Sequence, residues 1–206
     1  MGIRFRGIIK ILFVFIFIWG YSYQLFAAVG CTLNDPDRDI RRIFPQSTGY
    51  KTNFITIEEM GGEALKKKIE QELGDTLDPV YEALDVPYAY YTVLEAKETI
   101  GYVHGVNQKG KYGGMQLILA TDLQGKILAF YYQKMSSPEA ARFMDKAFTN
   151  QFIGLTLDDF IKGSPSIADP SKNSSYDFQA TLRGLKKNLI LLEEFLLQKE
   201  KTDKIQ

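Results

Sequence analysis

Apolar and polar residues alternate with different rhythms along this chain, and each rhythm predicts a different element. In residues 61–73, Leu65, Ile69 and Leu73 recur every fourth position while Lys66, Lys67, Lys68 and Glu70 fall between them, and Gly74 follows. That spacing predicts an amphipathic helix stopped by glycine, with the lysines on its solvated face. A shorter helix is predicted over 38–44, capped by Asp37, with Ile40, Ile43 and Phe44 on one face and Pro45 ending it. Residues 86–95 and 99–107 are rich in Tyr and Val and read as two strands joined by Ala96, Lys97 and Glu98. Two more strands, 115–120 and 127–132, flank Asp122-Leu123-Gln124-Gly125, a hairpin loop with glycine where a positive φ is needed.

Beyond the hairpin the period returns to that of helices. Ser137 is placed to cap, with Pro138 in the first turn and Glu139 beside the positive end, so a helix is predicted over 136–148 with Phe143, Ala147 and Phe148 inward. Residues 151–154 read as a turn and 157–160 as a short helix. Residues 163–175, rich in Ser, Asp, Asn and Pro, read as loop. A last helix over 180–199 carries Leu185, Leu189, Leu192 and Phe195 on its inner face, and 199–206 is a charged tail. This order predicts an α+β fold: an antiparallel sheet covered by helices, in a single domain spanning 38–198.

The first thirty residues have a different character. Arg4, Arg6 and Lys10 precede an unbroken apolar run, Ile11 to Trp19, and Ala28-Val29-Gly30 leads to Cys31, the only cysteine. Basic, apolar and small-residue regions in that order are those of a secretory signal, and a single Cys after the small residues matches a bacterial lipobox. The expectation is lipidation at Cys31, residues 31–37 as a tether, and a body on the periplasmic side of a bacterial membrane. The alternative is a single uncleaved N-terminal transmembrane helix, because roughly 20 apolar residues suffice to span a bilayer.

Composition narrows the chemistry. Three of the 25 Lys and Arg precede residue 31 and none of the 25 Asp and Glu do, so the rest of the chain is acidic by three charges. It lacks the basic stripe of a nucleic-acid binder. With one His and one Cys, the familiar metal cages are excluded. His104 is the only imidazole and sits on a predicted strand with no partner in view. Asp158 and Asp159 are neighbours that diverge by ~100° on a helix, which suits capping or solvation better than a shared site. The entrance to the last helix, with Thr181, Arg183, Lys186 and Lys187 close by, is a candidate phosphate seat, since helix N-termini favour anions.

The strand motif Gly101-Tyr102-x-x-Gly105, the link holding Gly110, Gly113 and Gly114, and the strand–Asp122-x-x-Gly125-Lys126-Ile127–strand unit together point to one family. They resemble the flavin-binding domain of redox-driven ion pumps, found in the G subunit of the Rnf electron-transport complex and the C subunit of the sodium-pumping NADH:quinone reductase. The resemblance implies FMN, bound at an attachment motif Asp-x-x-Ser/Thr-Gly-Ala-Thr. Ala180 and Thr181 match its last two positions; Gln179, Phe178 and Ser175 replace the Gly, the Ser/Thr and the Asp. Ser136-Ser137-Pro138-Glu139-Ala140-Ala141 keeps the proline of the family's Glu-Thr-Pro-Gly-x-Gly turn and lacks its glycines. The implied site is therefore noncovalent, with Tyr112, Gly113, Gly114 and Met115 near the ring and Ser137, Ala180 and Thr181 near the phosphate. The implied role is electron transfer with a membrane redox complex. The alternative is a flavin-free protein of the same fold that serves as a binding or assembly factor.

Overall fold

Five antiparallel strands make one sheet in the order β1-β2-β3-β4-β5, so every strand lies beside its neighbour in sequence. The computed structural model describes residues 31–163, 165–173 and 175–198. β1 is Gly49–Ile55, β2 Tyr88–Glu95, β3 Glu98–Gly110, β4 Gly113–Thr121 and β5 Ile127–Met135. The helices are α1 (Pro36–Ile43), α2 (Ile57–Met60), α3 (Gly62–Leu73), α4 (Ala140–Phe143), α5 (Lys146–Thr149), α6 (Leu157–Ile161) and α7 (Tyr176–Leu192). α7 continues into a π-helical turn, Glu193–Leu197. The α+β class with an antiparallel sheet flanked by helices is thus the observed one.

Both faces of the sheet are covered, so buried residues run almost without a break along β2, the middle of β3 and β4. On one face Tyr88, Tyr90, Tyr102, Val106, Leu117 and Leu119 meet Leu185, Leu189, Leu192 and Phe195 of the C-terminal helix. The approach of α7 is closest at Gly184, where a Cβ would fall 2.2 Å from Leu117 Cδ1 and 3.2 Å from Gln108 Cγ. Two effects then compete for Gly184→Ala. Removing a helical glycine stabilises by about 1 kcal/mol, while overpacking a filled core costs about 1–3 kcal/mol. Leu117 is fully buried and has no room to yield, so the variant is expected to be net destabilised. A denaturation midpoint at or above wild type would show that the helix can lift off without penalty.

The other face is covered by residues 31–44. Leu33 N–H donates to Tyr91 Oη, Asn34 N–H donates to Gln133 Oε1, and Gln133 Nε2 donates back to Thr32 O. The predicted tether is therefore pinned flat against β2 and β5. Cys31 lies beneath it, 1% exposed, with its Sγ 3.1 Å from where a Gly105 Cβ would stand. Burial pushes its thiol up to about 12.

This overturns the expected lipid anchor. A diacylglyceryl chain on Sγ would have to occupy the closed space beside Gly105 and Ile118. The membrane-lipid partner and the lipid-anchored periplasmic location fall with it. No helix among the described residues is long and apolar enough to cross a membrane. The signal sequence and the uncleaved transmembrane helix both concern residues 1–30, which lie outside the described residues, as does the tail 199–206.

Other elements shift in instructive ways. α1 starts two residues earlier than predicted because Asp35, not Asp37, caps it through Arg38 N–H, leaving Asp37 to accept from Tyr50 Oη. β1 carries no apolar rhythm; it is a mostly exposed edge strand formed by pairing with β2. The predicted 136–148 helix is broken into α4 and α5, since the Asp145 carboxylate accepts from Ala147 N–H and starts a second turn. Phe143 and Phe148 point inward from the two turns, but Ala147 is exposed. In α6, Asp159 closes a capping box with Thr156 while Asp158 pairs with Lys162 at the surface. Lys68 on α3 makes an ion pair with Glu194 at 2.7 Å.

Candidate functional site

The tip of the β3–β4 hairpin, the turn after β5 and the start of α7 meet at one end of the sheet. Their junction is the Asp177 carboxylate, whose Oδ1 accepts from Lys111 N–H at 2.7 Å. Gly110 is required there: a Cβ would sit 2.9 Å from Asp177 Oδ1 and 3.1 Å from Gly113 O. Gly113 has φ +133 and faces Ser136, whose Cβ would be 3.1 Å from a substituent. Gly110 and Gly113 thus answer to the fold itself. Three of the segments predicted to form a site do converge.

The individual residues behave differently. Tyr112 is half exposed and its ring lies under Lys111 Nζ at 5.4 Å. Gly114 has open space on its Cβ side. Met115 is buried, with its Sδ 3.3 Å from where a Gly110 Cβ would stand. Ser137 Oγ accepts from Glu139 N–H. Ala180 is buried at the base of a neighbouring cleft. Thr181 is fully buried; its Oγ1 donates to Asp177 O at 2.7 Å and lies 2.8 Å from Tyr132 Oη, which donates in turn. The bulky residues at the degenerate motif also take up space: Phe178 packs edge-on to Phe148. The residues at the implied phosphate position do not fit FMN. The hydroxyl is enclosed and bonded, and an acidic side chain already holds the nearest free backbone N–H.

The cations read as an anion seat are engaged elsewhere. Arg183 has five N–H donors and meets five acceptors: Asp75 Oδ2 from Nε, Glu82 Oε1 and Gln108 Oε1 from Nη1, and Thr76 O and Glu82 Oε2 from Nη2. Lys186 donates to Leu73 O. Lys187 is fully buried and its Nζ faces Glu82 Oε1, Asn107 O and Gln108 Oε1. Three acceptors match an ammonium, which has three donors, and not a neutral amine.

Burial pulls Lys187 down to about 8 despite the Glu82 charge. Burial also pushes Glu82 up, but the Lys187 charge and the bonds from Arg183 and Lys187 outweigh it and hold the carboxyl below its usual range. Glu82 is the residue sequence reading missed. It lies in the irregular segment 74–87, and the only signal was the pair Arg183 and Lys187, four apart on one face of the last helix.

Against this network lies a cleft of ≈ 590 Å³, walled by segment 75–79, the end of β3 and the first turns of α7. Leu77, Pro79 and Ala180 are its apolar part, Tyr176 is half exposed, and Asp75, Thr76, Lys109 and Gln179 are its exposed polar residues.

His104 is enclosed under α7. Its ring stacks on Tyr90 at 5.2 Å, and Nδ1 lies 2.5 Å from Asn188 Oδ1. With Nδ1–H donating, His104 Nε2 and Asn188 Nδ2 are left without partners among the described residues. Burial lowers the imidazole to about 4, so it is neutral at pH 7. Tyr88, Tyr90, Tyr91 and Tyr102 are all buried in the core.

Comparison with protein-family models finds no match for the chain, and no curated protein matches it. The likeness to flavin-binding pump subunits rests on the motif residues alone.

Proposed function

We propose that this chain is a flavin-free binding protein, using the cleft beside the start of α7 rather than a flavin seated on Thr181. The observation that carries the reading is the internal bonding of Thr181 and Asp177. The two groups nearest the implied phosphate are already satisfied by Tyr132 and Lys111, and displacing them would leave buried polar groups unpaired. The cleft lies one turn away and has the size of a small-molecule site, which falls in the range of about 300–1,000 Å³.

A noncovalent electron-transfer flavoprotein is the second reading, favoured by the exposed ring of Tyr112 next to the hairpin glycines. An absorbance spectrum separates the two. The full chain is produced in a bacterium that has the flavin transferase, purified, and measured before and after denaturation and gel filtration, then with added FMN. The expected sample is colourless, folded and indifferent to FMN. Flavin bands lost on denaturation would install the second reading, and bands that survive it would place FMN covalently and overturn the first outright.

A further inference from the structure

The cleft has its own charge pattern, and that pattern constrains what can enter. Arg183 and Glu82 line it but have no bonding capacity left, because every guanidinium N–H and both carboxylate oxygens are paired. Asp75 accepts from Thr76 N–H on one oxygen and from Arg183 on the other, and its carboxylate, 55% exposed, keeps lone pairs toward solvent. One cation and two carboxylates keep capacity for a ligand. The Lys109 ammonium has no ion pair among the described residues. Asp78 uses Oδ1 for Val80 N–H and Tyr81 N–H and leaves Oδ2 open. Gln179 adds an exposed amide that both donates and accepts.

A simple anion entering the cleft meets Asp78 and its acidic neighbours, and a simple cation meets Lys109. A ligand that carries both charges and an amide finds a partner for each of them among these groups.

We propose that the cleft takes a zwitterionic, peptide-like ligand, its carboxylate on Lys109, its ammonium on Asp78 and its peptide group on Gln179. The apolar wall of Leu77, Pro79 and Ala180 suits a side chain of that ligand. The assignment rests on the reading of this cleft as the binding site.

The test is calorimetric titration of the full chain with the dipeptide alanyl-phenylalanine, its N-acetyl form and its C-terminal amide. The free dipeptide is expected to bind saturably, and each blocked form to bind about three- to fivefold more weakly, as for partly exposed charge pairs. Lys109→Met should abolish the preference for a free carboxylate and keep that for a free amine. Asp78→Asn should do the reverse while its Oδ1 still holds the turn. No saturable binding, or equal binding of all three forms, overturns the ligand class. FMN run as a fourth probe keeps the two failures apart: its uptake overturns the flavin-free reading, whereas failure of the dipeptides alone does not.

Discussion

Glu82→Ala is expected to lower folding stability by about 3–5 kcal/mol, the penalty of leaving a buried charge without its partner. The residue is 2% exposed and is the anion shared by Lys187 and Arg183. Arg183 keeps Asp75 and some access to water in the variant, but Lys187 is enclosed and retains only neutral acceptors. Segment 74–87 has little regular structure and is tied to α7 through this carboxylate and through the Arg183 bonds to Asp75 and Thr76 O, so its loss removes part of what holds the loop that walls the cleft. Urea denaturation monitored by circular dichroism gives the number. Replacing the pair together, with Glu82→Leu and Lys187→Met, should recover most of it, because apolar isosteres remove the desolvation penalty along with the attraction. A loss under about 1 kcal/mol for Glu82→Ala, the range of exposed pairs, would mean that water reaches Lys187 and that the network does not hold the loop.

The parts of the fold that were legible in the sequence are those in which one residue pattern has one physical solution. The three- and four-residue spacing of Leu185, Leu189, Leu192 and Phe195 can only bury one helix face, and all four lie in the core. The loop at Asp122 and Gly125 needed a positive φ, and Gly125 has φ +76. β1 was invisible because its residues are mostly exposed and its existence depends on hydrogen bonds to β2, a long-range fact. The 136–148 segment misled because Ser137, Pro138 and Glu139 do suit a helix start, yet Asp145 competes for the next backbone N–H.

The site was harder for a related reason. Gly110, Gly113 and Gly114 signal close approach without naming what approaches, and what approaches Gly110 is the protein's own Asp177. Thr181 looked available because a hydroxyl on an early helical turn commonly is. Its enclosure depends on Tyr132 of β5, 49 positions away in the chain, which no local pattern encodes. The same holds for Cys31. Its position after small residues suggested an anchor, while its burial depends on a pair of outer-face neighbours, Gly105 and Ile118, more than seventy positions away.

Acid should weaken the protein well before its carboxylates titrate. The chain has one histidine, and burial depresses His104 from 6.5 to about 4 in the folded state. The unfolded chain therefore takes up the proton first, so stability falls as pH drops through 6.5 and levels off near the folded value. By linkage the loss is about 2 kcal/mol between pH 7 and pH 5 and about 3 kcal/mol by pH 4. The physical origin is the enclosed Nε2, which has no acceptor to receive the added proton. Two carboxyls bound the window. Glu82, held low by its cations, loses its contribution only as pH falls through its folded value. Glu72, raised by burial, acts in the opposite sense by taking up a proton early in the folded state. Urea midpoints at pH 7 and pH 5 for wild type and His104→Gln isolate the effect. The variant has no imidazole to titrate and should show little difference between the two conditions. A wild-type midpoint that is the same at both pH values would mean that His104 finds a partner for its second nitrogen and that α7 is not sealed over it.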